Sequence, residues 1–211
     1  MLAFYYAPTS CSTASHIALQ ESGLSYSRHR VRIYKPEEHA NFKRDVNPLG
    51  TVPALHTEFG LLTENLAIMF YLARLRPELK LFPEDAFKWA RCLSFMSWVG
   101  SSVQIARRQF RAPVRFTDDE AAYSGLSQSG AEKFKACVAQ INQRLVGEDW
   151  IMGDQYSLAD GYALVVYHWA VLDKLDMLEY PHFTEHLRKM LRRAAVQEVL
   201  DAEKCCLLDY L

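Results

Sequence analysis

The sequence predicts a small α/β unit followed by an all-α one. Short apolar runs alternate with helical patterns from residue 1 to about 80, and no strand signal recurs after Pro83. Between them lies a proline-bounded connector, Arg76-Pro77-Glu78-Leu79-Lys80-Leu81-Phe82-Pro83, suited to a domain boundary. The expected units are therefore residues 1–77 and 84–211. Leu2 to Tyr6 is a compact apolar and aromatic run, read as the first strand. Pro8, Thr9 and Ser10 then turn the chain, and His16-Ile17-Ala18-Leu19-Gln20 has helical spacing. Tyr26 to Ile33 alternates as a second strand, and a helical stretch from Glu37 to Val46 ends in the turn Asn47-Pro48-Leu49-Gly50. Val52 to His56 and Leu61 to Thr63 flank a glycine-containing loop, as in a hairpin, and a helix runs from about Asn65 to Leu75. Helices are then expected at roughly 84–112, 118–146, 158–172, 182–192 and 195–207. No internal repeat or low-complexity segment interrupts them.

Composition narrows the field. The chain has 211 residues, half of them hydrophobic, enough for one large domain or two small ones. Its formal net charge is -1, so nothing global points to nucleic acid or an acidic membrane. Five cysteines at irregular spacing, with no CxxC, argue against a disulfide framework and against structural zinc. No metal is expected. The longest apolar stretch, Tyr162 to Leu172, contains His168 and is too short to span a bilayer. A soluble protein of the reducing cytoplasm is expected.

Cys11 is the residue with chemical promise. It falls where the first strand gives way to the first helix. A free cysteine has a pKa of about 8.5, and helix N-termini lower it. A drop of about two units would make most of the thiol thiolate at neutral pH. By itself, a lone cysteine is more often a small buried residue with no chemistry. Pro53 conflicts with the strand around it, since proline cannot donate to a sheet ladder. A cis bond there would turn the N–H and C=O of Val52 outward, free to pair with an extended ligand. Ser157-Leu158-Ala159-Asp160 reads as a capped helix start, a structural feature, and Gly161 as a site of close packing.

The order of these elements resembles the cytosolic glutathione transferases over nearly the whole chain. The specific marks are Asn47-Pro48-Leu49-Gly50-Thr51-Val52-Pro53-Ala54-Leu55, Leu62-Thr63-Glu64-Asn65 with Ala67-Ile68 and Tyr71-Leu72, and Ser157-Leu158-Ala159-Asp160. Cys11 with Ser12 and His16 is most similar to the bacterial beta class. The resemblance implies a thioredoxin-like N-terminal domain that binds glutathione and a helical domain that lines a hydrophobic-substrate site. It implies glutathione contacts from Cys11, Lys35, Thr51, Val52, Pro53, Glu64 and Asn65. Val52 would pair with the cysteinyl part, Glu64 would meet the γ-glutamyl ammonium, Asn65 and its helix N-terminus would hold the neighbouring carboxylate, and Lys35 is placed for the glycyl carboxylate. Cys11 ranks first as the catalytic residue, followed by Ser12 or Ser10 and then Tyr6.

The departures from the family pattern matter too. Where beta-class enzymes carry an asparagine and then a His-Lys pair, this chain has Gly100, Arg107 and Arg108; an acidic place is filled by Ile105. Between Asp85 and Asp118 there is no acid, although Lys88, Arg91, Arg107, Arg108, Arg111 and Arg115 are present. Arg107 and Arg111 share a helical face. An arginine there could stabilise a thiolate or bind an anionic substrate, but cannot serve as a base; a solvated face or a dimer contact is the competing reading. Arg107, Arg108, Arg111 and Trp169 are the expected substrate-site residues, with core packing the competing role for Trp169. His16 and His168 are read as packing histidines, and Cys92, Cys137, Cys205 and Cys206 as structural.

The leading expectation is a homodimeric glutathione transferase, of bacterial type, acting in detoxification by conjugating glutathione to small hydrophobic or electrophilic compounds. Two alternatives stand beside it: a glutathione-dependent thiol-disulfide reductase or reductive dehalogenase working through a Cys11 mixed disulfide, and a non-catalytic glutathione-binding protein.

Overall fold

The structure, a computed structural model, describes residues 1–210. Its N-terminal part carries a four-stranded mixed sheet in the order β2-β1-β3-β4. Strand β1 (Leu2–Tyr6) runs parallel to β2 (Tyr26–Arg30), with Phe4 opposite Arg28. On its other side β1 is antiparallel to β3 (Ala54–Thr57), which forms the expected hairpin with β4 (Gly60–Thr63). The second strand stops at Arg30, three residues short of expectation; the Val31 N–H makes a last bond to the Tyr6 carbonyl at 2.7 Å, and its side chain packs with Phe42 and Ala54.

A parallel β1–β2 pair needs a crossover, and α1 (Ser12–Ser22) supplies it. This helix is buried on every side: Ser12 through Leu19 are all buried. Its small residues allow that, since the sheet and α3 (Asn65–Leu75) meet it from one side, and helices of the second part from the other. Burying Ile17 or Leu19 contributes about 1.5–3 kcal/mol each. On the opposite face of the sheet lies α2 (Pro36–Asp45), anchored by Phe42 against Tyr5.

From Ala86 onward the described residues are helical or irregular. The helices are α4 (Ala86–Trp98), α5 (Gln104–Arg111), α6 (Tyr123–Arg144), α7 (Leu158–Leu172), α8 (Pro181–Leu191) and α9 (Ala194–Glu203). The expected single helix over 84–112 is divided. A π turn over Val99–Val103, closed by the Gln104 N–H bonding back five residues to Val99, separates α4 from α5. Gly100 lies in this turn, where an added Cβ would come within 3.5 Å of the Tyr162 hydroxyl.

Helix α7 is the axis of the second part, buried from Leu158 to Ala170. Asp160 fixes its start: Oδ2 accepts from the Ser157 N–H at 2.8 Å, while Oδ1 accepts from the Ile151 N–H and meets His186 Nε2. The capping role read from the sequence holds, with two further partners that spacing did not disclose. Gly161 allows α7 to approach α1, and a Cβ there would lie 3.5 Å from Ile17 Cγ2. Gly130 has the same role for α5 on α6 in a tighter place: a Cβ would come within 2.5 Å of the Phe110 nitrogen.

Candidate active site

The first helix begins from a turn held by its own hydroxyls. Ser10 Oγ and Ser12 Oγ lie 2.8 Å apart and both donate to the Ala7 carbonyl, while the Ala7 N–H donates back to Ser12 Oγ. Ser12 is fully buried in this network, and Tyr6 is stacked in the core beside Phe4 and His16. Of the ranked hydroxyl candidates, only Ser10 lines the cleft. Thr9 takes a left-handed φ of +66°, uncommon for a residue with a Cβ, and its carbonyl accepts the Trp169 indole N–H at 2.9 Å. A tryptophan from α7 thus clamps the turn that presents Cys11.

Cys11 sits directly before α1, 8% exposed, with its thiol donating to the Val52 carbonyl at 3.5 Å. The Val52–Pro53 bond is cis, and the Val52 N–H has no partner among the described residues. The thiol departs from expectation. Burial pushes its pKa above the ordinary value; a hydrogen bond to Asn65, the charge of Arg108 and a hydrogen bond to Gln104 offset only part of that. Desolvation outweighs the helix terminus because the thiolate would lose most of its water while gaining a partial positive charge.

Asn65, the first residue of α3, is buried and accepts from Ser15 Oγ at 2.6 Å. Gln104 also accepts from the Tyr162 hydroxyl at 3.4 Å, and burial pushes that phenol up. Glu64 is exposed, with φ +68°, and its carbonyl opens the helix that Asn65 begins. Thr51 is exposed, and its carbonyl accepts from Asn47. Lys35 stands at the start of α2, paired with Glu38 at 3.3 Å, while its neighbour Tyr34 lines the cleft.

The cleft itself has a volume of about 690 Å³. The thioredoxin-like side supplies the Ala7–Cys11 turn and the Gly50-Thr51-Val52 segment; the helical side supplies Gln104, Arg107, Arg108, Arg111 and Trp169. Arg107 is committed: its Nε and one terminal nitrogen reach both oxygens of the buried Asp173, at 2.7 and 3.0 Å, and its guanidinium lies 5.1 Å from the Trp169 ring centroid. The arginine whose charge acts on the Cys11 thiol is Arg108. Trp169 both lines the cleft and packs, at 3% exposure, against the core.

Spacing alone missed Gln104, Asp173 and Thr9. Gln104 had a signal, four residues before Arg108 on one helical face; Asp173, next after α7, had none. His16 and His168 are buried, as read, and each has a partner. His16 Nδ1 meets Glu203 at 2.7 Å, and His168 lies 3.4 Å from Cys205 Sγ and 3.7 Å from Cys206 Sγ. Burial, with Arg107 nearby, lowers the His168 pKa to about 4, and burial pushes Cys205 up to about 12. Cys92 is buried and Cys137 half-buried, both on helices. Among the described residues no group of three or more His, Cys, Asp or Glu could hold a metal, and no helix is long and apolar enough to cross a membrane.

A mixed sheet with a cis-proline beside a cysteine turn, joined to a helical bundle across a cleft, defines a thioredoxin-like domain with a helical partner domain. The glutathione S-transferase N-terminal domain model matches residues 2–74, and the C-terminal domain model residues 121–194. Glutathione S-transferase GstA of Escherichia coli O157:H7 is 32% identical over 202 residues, covering 94% of this chain and 97% of that one. A sphingomonad glutathione S-transferase complexed with glutathione superposes with a TM-score of 0.83 at 34% identity, covering 96% of this chain and 98% of that one. The bacterial beta class glutathione S-transferase of Sphingomonas chungbukensis gives 0.83 at 28%, covering 95% and 98%. This chain belongs to the glutathione S-transferase family.

Proposed function

We propose that the protein conjugates glutathione to small electrophilic compounds, with residues 1–77 binding the tripeptide and 84–211 supplying the second-substrate wall. The carrying observation is the placement of Cys11 Sγ 3.5 Å from the carbonyl of Val52, whose N–H is free, at the floor of a two-walled cleft. An extended peptide laid along Val52 pairs with it as an added strand would, and its thiol then falls beside Cys11. Asn65 and the start of α3 hold the γ-glutamyl carboxylate, Glu64 the ammonium, and Thr51 lies beside the backbone; Lys35, once released from Glu38, serves the glycyl carboxylate.

The raised Cys11 pKa favours a particular role. A protonated thiol donates a hydrogen bond to glutathione sulfur, which stabilises the glutathione thiolate, the attacking nucleophile. The new carbon–sulfur bond forms as the leaving group departs with its electron pair. Arg108 adds positive charge at the same place. Ser10 orders the turn, and Ser12 and Tyr6 support it from the core.

The test is conjugation of 1-chloro-2,4-dinitrobenzene alongside intact mass after incubation with oxidised glutathione. Cys11→Ala should retain conjugation with kcat/KM reduced about tenfold, and Cys11→Ser should restore most of it. A stable glutathione adduct at Cys11, with conjugation abolished in Cys11→Ala, would instead establish the mixed-disulfide route. Absence of both activities while glutathione still raises the melting temperature would leave only a binding protein.

A homodimer belongs to the same reading, supported by apolar side chains left exposed at Phe59, Phe70 and Phe87. Light scattering at micromolar concentration checks it. Detoxification in a bacterial cytoplasm is the setting this chemistry fits.

A further inference from the structure

The cleft holds more positive charge than its architecture uses. Its helical wall presents Arg107, Arg108, Arg111 and Arg115, Arg30 faces them from the end of β2, and no aspartate or glutamate is among the lining residues. One carboxylate reaches these arginines from behind. Asp173, its side chain buried, neutralises Arg107 through two short hydrogen bonds and lies 3.6 Å from Arg111 Nε, whose side chain is 58% exposed. Arg30, Arg108 and Arg115 pair with no carboxylate among the described residues.

Arg107 and Arg111 are four residues apart on α5, where like charges repel; the helix ends at Arg111, and Arg115 follows in a short turn over Pro113–Arg115. Among the described residues only Asp173 pairs with any of them. Glutathione does not absorb the remainder. Near neutral pH it carries two carboxylates and one ammonium, and a second negative charge in excess only when its thiol ionises. That second charge forms beside Arg108, the arginine acting on the thiol position. Arg111, about one turn after Arg108 at the end of α5, and Arg115, in the short turn that follows, line the same cleft. Facing them, Ile33, Tyr34 and Leu49 expose apolar surface on the cleft's other side.

Resting on the glutathione site assigned above, we propose that the second substrate is an anion: an electrophile with an apolar, ring-sized body and a carboxylate or sulfonate held by Arg111 and Arg115. The glutathione thiolate forms a bond to the electrophilic carbon. The leaving group, a halide in the probe below, departs with the electron pair, and the thiol proton passes to solvent. The charged group sits away from the reacting carbon and takes no part in bond making. The planar arginine forks match a carboxylate or sulfonate with two parallel hydrogen bonds each.

The test compares 4-chloro-3,5-dinitrobenzoate with the neutral 1-chloro-2,4-dinitrobenzene, each kcat/KM divided by that compound's uncatalysed rate constant with glutathione. The expected result is a normalised preference of at least tenfold for the anion, shrinking as salt rises from 50 to 500 mM. The double variant R111Q/R115Q should lose at least tenfold more on the anion than on the neutral compound, and R115E should turn the preference toward the neutral one. An unchanged ratio in both variants overturns the proposal. A binding arm separates this result from the transferase reading: titration of unreactive 3,5-dinitrobenzoate and 1,3-dinitrobenzene into glutathione-saturated protein. If neither chloro compound is conjugated, the transferase reading fails. Tenfold tighter binding of the benzoate, lost in R111Q/R115Q, still supports the anion site; equal binding of the two overturns it.

Discussion

Two polar clusters lie between the same two halves of the molecule, and they are built on opposite terms. Behind α1, Thr13 Oγ1 and His16 Nδ1 both meet the Glu203 carboxylate from α9, at 2.8 and 2.7 Å, with all three residues buried. At the N-terminal end of the same helix, the cleft gathers five arginines, with only Asp173 behind them among the described residues. Buried polar groups without partners cost free energy, so the first cluster has the composition of a structural joint. The second faces solvent, where water tolerates a surplus until a ligand displaces it. Charges that belong to the fold are compensated within the chain; those at the cleft wait for a partner.

Breaking the joint should have the largest effect. Glu203→Ala leaves Thr13 and His16 buried without their acceptor and is expected to lower stability by about 2–5 kcal/mol, read from the urea midpoint. A loss under about 1 kcal/mol would mean that apolar contact alone holds the halves together. The joint's neighbour, His168, sets the acid limit. Its pKa falls from 6.5 to about 4 in the folded protein, so its contribution to stability is complete above pH 6.5 and is lost as pH falls toward 4. That amounts to up to about 3 kcal/mol, and His168→Gln should flatten this part of the stability–pH curve.

Effects on the cleft side are smaller. Gly130→Ala pushes a Cβ toward the backbone of α5 and should cost about 1–3 kcal/mol while disturbing the arginine wall, seen as a higher KM for the electrophile. Trp169→Phe removes the hydrogen bond to Thr9, at about 1 kcal/mol, and should raise the KM for glutathione severalfold through a looser Cys11 turn. The smallest effect sharpens the comparison most. Because burial raises the Cys11 pKa, its alkylation by iodoacetamide should still be accelerating at pH 9, above the ordinary thiol value. Arg108→Gln should slow it a few-fold further; an alkylation rate already level at pH 7 would reverse the assigned role of Cys11.

Much of the site was legible because its parts are local. The cysteine turn, Val52-Pro53 and Glu64-Asn65 are contiguous segments whose turn and strand chemistry shows in the residues themselves. The basic run between Asp85 and Asp118 was equally plain. What it does was not, because Asp173 lies 66 residues beyond Arg107 and removes that arginine from service. Tyr6 and Ser12, ranked behind Cys11, stayed among the candidates because one residue of helical or strand phase separates the core from the cleft.

By itself, the sequence determined the strand order in time, the place of the cysteine, the proline-bounded division and the helical character of everything after it, since periodicity and turn chemistry act over a few residues. Only the tertiary structure decided the thiol's direction of shift, the commitment of Arg107 to Asp173, the Trp169 clamp on Thr9 and the surplus of charge opposite Cys11. Each of those depends on burial or on partners tens to more than a hundred residues away, and desolvation is a property of the packed molecule rather than of any segment.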